Sequence, residues 1–123
     1  MEKKFKGSKF GTLGENSYNR TFICACLRKD LKDAFNKDWK FSVRKTSGQG
    51  IQVSILQMPR KAMEGEFNKW ASFIYPENFT NGKDYTKLVD TAMAYNYDNS
   101  DGQTDYFDVN YYLTWNVSKV KYV

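Results

Sequence analysis

The chain has 123 residues, of which 41% are hydrophobic and 27% charged, and its formal net charge is +5. This length suits one ordinary domain, and the composition excludes the disordered, collagen-like and low-complexity classes. No apolar run approaches the roughly 18 residues that a membrane span needs, and no apolar stretch of the signal-peptide kind follows the lysine-rich start. We therefore expect a soluble, unexported protein with no membrane contact.

Histidine is absent from the sequence, which removes the usual general base, the imidazole-dependent triads and most zinc catalysis. Cys24 and Cys26 lie two residues apart in a segment of helical periodicity, so they point to different faces and neither bridge nor share a metal. Two thiols without a disulfide framework suit a reducing cytoplasm. We expect a non-enzymatic protein that needs no cofactor.

Charge is divided between the two halves of the chain. Residues 1–61 carry 14 lysines and arginines against five acids, a balance of +9, whereas residues 62–123 have a balance of −4. A basic half steers a protein toward a polyanion or an acidic protein surface. The alternative interpretation is that these lysines only solvate the surface.

The first predicted elements are an arm and a helix. Residues 1–16 mix polar residues and glycine with isolated apolar ones, which predicts a flexible basic arm ahead of a single domain over residues 17–123. Helical spacing then runs from Ser17 to Phe35, with Asn16 or Ser17 as the cap. The apolar stripe of this helix consists of Ile23, Leu27, Leu31, Ala34 and Phe35, extended by Tyr18 and Phe22.

A β-hairpin follows, because residues 40–45 and 51–55 alternate in polarity around a turn at Thr46–Gly50. Spacings of three and four then predict a short second helix over residues 63–74. Its apolar positions are Met63, Phe67, Trp70, Ala71 and Ile74. A third helix is predicted to begin at an Asp84 cap, with Tyr85, Leu88, Val89 and Ala92 as its stripe.

The last element has the strongest strand pattern. Apolar and aromatic residues occupy every second position from Phe107 to Val117. Residues 91–98 alternate too and offer an alternative strand that would pair with it. The sequence thus predicts an α+β fold, a small mainly antiparallel sheet covered on one face by two or three helices, in the order α-β-β-α-α-β. The long last strand also makes a homodimer a candidate.

An acidic loop precedes this strand and holds Asp98, Asp101, Asp105 and Asp108. Such oxygens suit Ca²⁺ or Mg²⁺, but the spacing fails the helix-loop-helix calcium pattern. A metal-dependent hydrolase using two of these carboxylates is a third functional hypothesis. The alternative is that the aspartates cap turns and solvate the loop.

The candidate binding residues are mostly basic. They are Arg28, Lys29 and Lys32 of the first helix, Arg44 and Lys45 of the hairpin, and Arg60 and Lys61 after it. Tyr106, Tyr112 and Trp39 are candidate stacking surfaces for nucleic-acid bases. The same surface suits an acidic protein partner, with tyrosines as anchors. Protein and DNA or RNA both remain open as partners.

Five short motifs resemble one known family. LRKDLKDAF at 27–35, KFSVR at 40–44 and IQVS at 51–54 resemble the start of a large polyvalent protein-associated domain, and YDNSD at 97–101 with DYFDV at 105–109 resembles its second half. The likeness covers roughly residues 17–117. It departs at 36–39, where NKDW replaces a proline-containing turn.

This resemblance implies a protein of a phage or another mobile element, acting in the bacterial cytoplasm. The family implies no catalytic residues. The expected function is non-enzymatic binding to host machinery, for instance stoichiometric inhibition of a host defence nuclease in the manner of anti-CRISPR proteins. The alternative is a DNA- or RNA-binding protein that uses the basic half and is sensitive to salt.

Overall fold

A computed structural model describes residues 4–101 and 108–123, which form an α+β fold with two α-helices, as the sequence predicts for the fold class. Its two sheets are a small pair of strands and a larger, mixed sheet. The elements in chain order are β1 (Phe5–Lys6), α1 (Arg20–Ala34), β2 (Lys40–Thr46), β3 (Gly50–Met58), α2 (Gly82–Met93), β4 (Tyr97–Asp98), β5 (Tyr112–Asn116) and β6 (Lys121–Tyr122).

Helix α1 begins three residues later than predicted. Its N-cap is Asn19, whose Oδ1 accepts a hydrogen bond from the Phe22 N–H at 3.1 Å. The predicted caps, Asn16 and Ser17, are wrong because a 3-10 turn (Gly14–Asn16) precedes the helix and uses this part of the chain. The predicted stripe is confirmed for Ile23, Leu27, Leu31 and Phe35, which are buried, whereas Tyr18 and Phe22 are exposed.

The hairpin of β2 and β3 is confirmed. The two strands pair antiparallel from Thr46 opposite Gly50 to Lys40 opposite Gln57. The turn between them places Gly48 and Gln49 at positive φ, a backbone conformation that glycine adopts without strain.

The larger sheet is mixed, whereas the sequence predicted a mainly antiparallel one. Strand order is β2-β3-β5, and both β5 and β6 run parallel to β3. A parallel neighbour needs a long crossover connection, and the segment containing α2 supplies it. The alternation of polar and apolar residues does not reveal the direction in which a strand pairs. Here the parallel strand β5 alternates in the same way as the antiparallel strand β2.

The helix predicted over residues 63–74 is wrong, because the chain follows an irregular path there. Gly65 has a φ of +78°, and Met63 forms a β-bridge to Phe79. Phe67 and Ile74 are still buried, so the apolar spacing reflects separate anchors of a loop. Trp70, which the pattern placed in the core, has 93% of its surface exposed. The predicted α-β-β-α-α-β order therefore loses one helix.

Helix α2 corresponds to the third predicted helix. Asn81 caps it by accepting from the Lys83 N–H at 2.9 Å, and the predicted cap, Asp84, instead lies in the first turn. Leu88 and Ala92 are buried on its inner side, as the stripe predicts.

The described part of the predicted arm lies against the rest of the protein. β1 pairs antiparallel with β4, and the N–H of Gly7 donates to Asn96 O at 2.8 Å. Leu13 is buried in the same core as α1 and α2. The alternative strand at 91–98 is therefore realised only as β4, which pairs mainly with the arm.

The last strand is shorter than predicted, but its alternation is confirmed where the structure describes it. Val109, Tyr111, Trp115 and Val117 are buried, and Tyr112 is exposed. Asn110 breaks the pattern. Its side chain is buried and satisfied by four hydrogen bonds, two donated to Ser17 O and Tyr95 O and two accepted from the N–H of Tyr97 and the amide of Asn96.

Both cysteines are free thiols, as predicted, with Cys24 buried and Cys26 partly exposed. Burial raises the pKa of the Cys24 thiol, which keeps it protonated and unreactive. Within residues 4–101 and 108–123, no helix combines the length and apolarity needed to cross a lipid bilayer.

Candidate functional site

The predicted basic residues lie on three elements, of which the first two are in contact through Arg28 and the carbonyl oxygen of Val43. Arg28 and Lys32 lie on α1, toward its C-terminal half. Arg44 and Lys45 lie near the hairpin turn, at the other end of β2 from Lys40. Arg60 and Lys61 form a 3-10 turn beyond the far end of β3. A strand the length of β3 therefore separates the second pair from the third.

Several of these cations have partners within the chain. Arg28 donates two hydrogen bonds to the carbonyl oxygen of Val43, and Lys29 forms an exposed ion pair with Asp33 at 2.8 Å. Arg44 bonds across the hairpin to Gln52. These contacts occupy donor groups that a nucleic-acid backbone would need.

The remaining candidates are placed as follows. The guanidinium carbon of Arg60 lies 4.9 Å from the ring centroid of Tyr122. Lys45 and Lys61 are exposed. Tyr112, the first residue of β5, has 48% of its surface exposed. Tyr106 lies outside the described residues.

One concave surface is a groove beside the end of α1 and the start of β2, which we call the aromatic–basic groove. Its cavity has a volume of about 670 Å³. Its lining is partly apolar and partly basic, and we call the apolar residues its floor and the polar and charged residues its rim. The floor consists of Phe35, Trp39, Phe41 and Leu56, and the rim of Arg28, Lys32, Asn36, Lys37 and Lys40.

The three rings of the floor support one another. The centroid of Phe35 lies 4.8 Å from that of Trp39 and 5.4 Å from that of Phe41, and the planes of Trp39 and Phe41 are within 15° of parallel. Phe35 is nearly buried, and Lys87 of α2 places its Nζ 4.5 Å from the ring centroid. Trp39 and Phe41 are partly exposed, so the groove offers rigid aromatic surface to a ligand.

Local sequence explains this floor. Helix α1 ends at Ala34, and Asn36 then turns the chain, because its Oδ1 accepts from the Asp38 N–H at 2.9 Å. The aromatic residues at 35, 39 and 41 flank this short turn and thus meet. A β-bulge opposite Lys40 leaves Leu56 without a cross-strand partner, and this side chain, 44% exposed, completes the floor.

The rim is basic, although Lys32 also interacts electrostatically with the neighbouring Asp33. In the part of the chain that the structure describes, the side chains of Lys32, Lys37 and Lys40 form no hydrogen bond or ion pair, and all three are exposed. Together with Arg28 they surround an apolar floor with four cations. Such a site favours a ligand that is negative at its edges and apolar at its centre.

Sequence reasoning found Arg28, Lys32 and Trp39 but missed the rest of this groove. A signal was present, since three aromatic residues and five cations lie within residues 28–41. Leu56 had no such signal, because its exposure depends on the bulge.

The acidic loop is described only in part, and Asp105 lies outside that part. Asp98 Oδ1 accepts from the Ser100 N–H at 2.9 Å, and Asp108 accepts from the Tyr18 hydroxyl. Among the described residues, no group of three or more cysteines and carboxylates has the geometry to hold a metal ion. The metal-dependent hydrolase stays a prediction.

Comparisons of the chain with protein-family models, with curated proteins and with solved structures each find no match. The resemblance to large polyvalent protein-associated domains therefore stays a prediction that rests on the five motifs.

Proposed function

We propose that this chain is a non-enzymatic binding protein that captures an acidic segment of a protein partner in the aromatic–basic groove. The observation that carries the proposal is one groove whose lining combines four apolar side chains with four cations. Binding energy at protein interfaces concentrates in a few well-packed apolar pockets, while charges at the rim set specificity and association rate.

The floor supplies the anchor point. Phe35, Trp39 and Phe41 are held by mutual ring contacts, so little side-chain entropy is lost when a ligand packs on them. A leucine or an aromatic side chain of the partner would bury its surface there. The volume of about 670 Å³ lies within the range of pockets that enclose compact ligand groups.

The rim supports an acidic partner. Lys32, Lys37 and Lys40 are exposed and form no close ion pair in the described chain, so a carboxylate gains attraction without displacing an existing ion pair. Because these lysines are solvated, we expect association to slow as salt rises.

A protein partner is favoured over nucleic acid by the distribution of cations. An interface that follows a phosphate backbone uses a continuous row of free lysines and arginines. Here Arg28 and Arg44 are bonded internally, and Arg60 lies beyond the other end of β3. One groove with a central apolar floor suits a single anchored segment better than an extended strand.

The resemblance adds a context to this proposal. A protein of a mobile element in a bacterial cytoplasm meets host machinery, and we place a host defence nuclease first among the partners. Binding without catalysis predicts stoichiometric inhibition. In a nuclease assay, inhibition should be complete at molar equivalence, whereas an enzyme acting on the nuclease would inactivate it at far lower ratios.

The test uses defined peptides. Fluorescence anisotropy should measure the binding of labelled Asp/Glu-rich peptides that carry one central tryptophan, beside the same peptides with alanine in its place. Single-stranded DNA and RNA oligonucleotides are titrated in parallel. We expect the peptide that carries the tryptophan, the anchored peptide, to bind, and the alanine peptide to bind about tenfold more weakly.

The matched variants are two double substitutions of equal charge. Lys37→Glu with Lys40→Glu reverses the rim and should weaken peptide binding by about tenfold or more. Lys83→Glu with Lys119→Glu changes exposed lysines elsewhere and should leave it unchanged. If both double substitutions weaken peptide binding equally, the effect comes from the net charge of the protein and not from the groove. Tight, salt-sensitive oligonucleotide binding without peptide binding would establish the nucleic-acid alternative instead.

A further inference from the structure

The loop between Met63 and Pro76 exposes large apolar side chains that the groove does not explain. Trp70 is 93% exposed, and Phe73 and Tyr75 expose 56% and 48% of their surfaces. Single exposed apolar residues are ordinary, but three within six positions mark a contact surface. We call residues 64–75 the aromatic loop.

Local contacts project Trp70 away from the protein. Asn68 makes a short turn, with its Oδ1 accepting from the Trp70 N–H at 3.0 Å and its carbonyl oxygen accepting from the Ala71 N–H. Phe67 and Ile74 are buried on either side of this turn and hold its two ends. Trp70 is therefore a protruding side chain on an anchored loop.

Charge makes the aromatic loop complementary to the aromatic–basic groove. Glu64 and Glu66 precede Trp70 and are exposed, Lys69 is the loop's one cation, and Glu77 follows the loop. The groove has the opposite character, with four cations around an aromatic floor. The loop therefore has a net charge of −1, and a protruding indole on a negatively charged loop is the kind of ligand proposed above for this groove.

The two features lie at opposite edges of the larger sheet. The groove includes Lys40 and Phe41 of β2, one edge strand, whereas Ser72 of the loop accepts a hydrogen bond from the Trp115 N–H of β5, the other edge. The exposure of Trp70 shows that it does not occupy the groove of its own chain. A second copy can supply it.

We propose that Trp70 of one copy inserts into the aromatic–basic groove of another, so that the chain associates with itself head to tail. Each copy then offers one groove and one tryptophan, and such a heterologous contact extends into a chain or closes into a ring. The same contact covers the groove. At high protein concentration self-association therefore competes with an acidic partner.

Sedimentation velocity or light scattering tests this from low micromolar to near-millimolar protein, at low and high salt. The unmodified chain should gain mass with concentration, less so at high salt. Trp70→Ala and the pair Lys37→Glu with Lys40→Glu should each remain monomeric. All three positions are exposed, so the variants should fold, as circular dichroism can verify.

The deciding experiment mixes the two variants. Trp70→Ala retains an intact groove and the lysine variant an intact Trp70, so an equimolar mixture should form a heterodimer and nothing larger. A control pair at exposed positions that line neither the groove nor the aromatic loop, Lys6→Glu with Lys45→Glu, should associate like the unmodified chain. A monomer at every concentration, a mixture that stays monomeric, or self-association that survives Trp70→Ala would each overturn the proposal.

The outcome is separable from that of the proposed function. Trp70→Ala should bind the anchored acidic peptide normally, because its groove is intact. If peptide binding is found without self-association, only the head-to-tail contact fails. If the heterodimer forms and no peptide binds, the groove serves self-association alone.

Discussion

The guanidinium of Arg28 donates two hydrogen bonds to the carbonyl oxygen of Val43, at 3.1 Å from Nε and 2.7 Å from Nη2. Two turns earlier on the same helix, Arg20 donates to Thr46 O and Gly50 O at 2.8 and 2.9 Å. These arginines attach α1 to the hairpin along its length. A residue predicted from its charge to contact a partner thus has a structural contact as well.

Arg28→Ala should lower the free energy of unfolding by about 1–3 kcal/mol, because a charged donor is lost and the Val43 carbonyl is left without it. Arg28→Lys should retain only part of the stability that the arginine provides, because an ammonium group cannot reproduce its two directed hydrogen bonds. Lys29→Ala is the neighbouring control and should cost at most about 0.5 kcal/mol, because its ion pair is exposed. Urea unfolding measures all three. An unchanged stability for Arg28→Ala would show that the two bonds do not stabilise the fold.

Gly7→Ala should detach the described part of the arm. A Cβ at this position would overlap the carbonyl oxygens of Met93 and Ala94, which are backbone atoms and cannot turn aside. We expect a loss of about 1–3 kcal/mol and faster hydrogen exchange at the N–H groups of Gly7 and Lys9, which bond to Asn96 O and Ala94 O.

Gly11→Ala is the matched control for that change. No atom lies within 4 Å of a Cβ built there, and the residue does not have a positive φ. The free energy of unfolding of this variant should stay the same or rise by about 0.5 kcal/mol, because alanine restricts the unfolded chain. Equal effects at both positions would contradict the close approach at Gly7.

Asn110→Ala should be among the most destabilising substitutions in the described chain. The change removes a buried amide that hydrogen-bonds to four groups. These are the carbonyl oxygens of Ser17 and Tyr95, the N–H of Tyr97 and the side-chain amide of Asn96. Leaving several buried polar groups unpaired should cost about 2–4 kcal/mol. Asn68→Ala, at an exposed position, should cost far less in the same thermal or urea unfolding. A small loss at Asn110 would mean that water replaces these bonds.

High pH should destabilise the protein through two tyrosines. Burial raises the pKa of Tyr111 above its usual value of 10, and burial together with the hydrogen bond to Asp30 raises that of Tyr95. Because the folded pKa lies above the unfolded one, this contribution to stability is complete below pH 10 and is lost as pH rises toward the folded pKa values.

The sequence has nine tyrosines. Absorbance at 295 nm, which measures tyrosinate, should therefore account for fewer than nine ionised side chains until the protein unfolds at alkaline pH. Tyr111→Phe should remove one of the groups that ionise late. Ionisation of all nine tyrosines in the folded protein, near pH 10, would contradict the prediction.

Local patterns were sufficient for α1, the hairpin and α2. In each, the spacing of apolar residues matches the repeat of the element, and side chains such as Leu27 and Val53 are buried as the pattern requires. The same reasoning failed over residues 63–74. Met63, Phe67 and Ile74 are spaced as in a helix, but each is a buried anchor of a loop. Trp70, which lies between them in the chain, faces solvent.

The sequence by itself determined the fold class, the main helices, the hairpin, the free thiols and the charge division, because these follow from local spacing and composition. Only the tertiary structure decided the parallel pairing of β5 with β3, the bulge that exposes Leu56, and the bonds that occupy Arg28. Each of these joins residues far apart in the chain. Periodicity describes the face on which a side chain lies, and it contains no information on which distant backbone that face will meet.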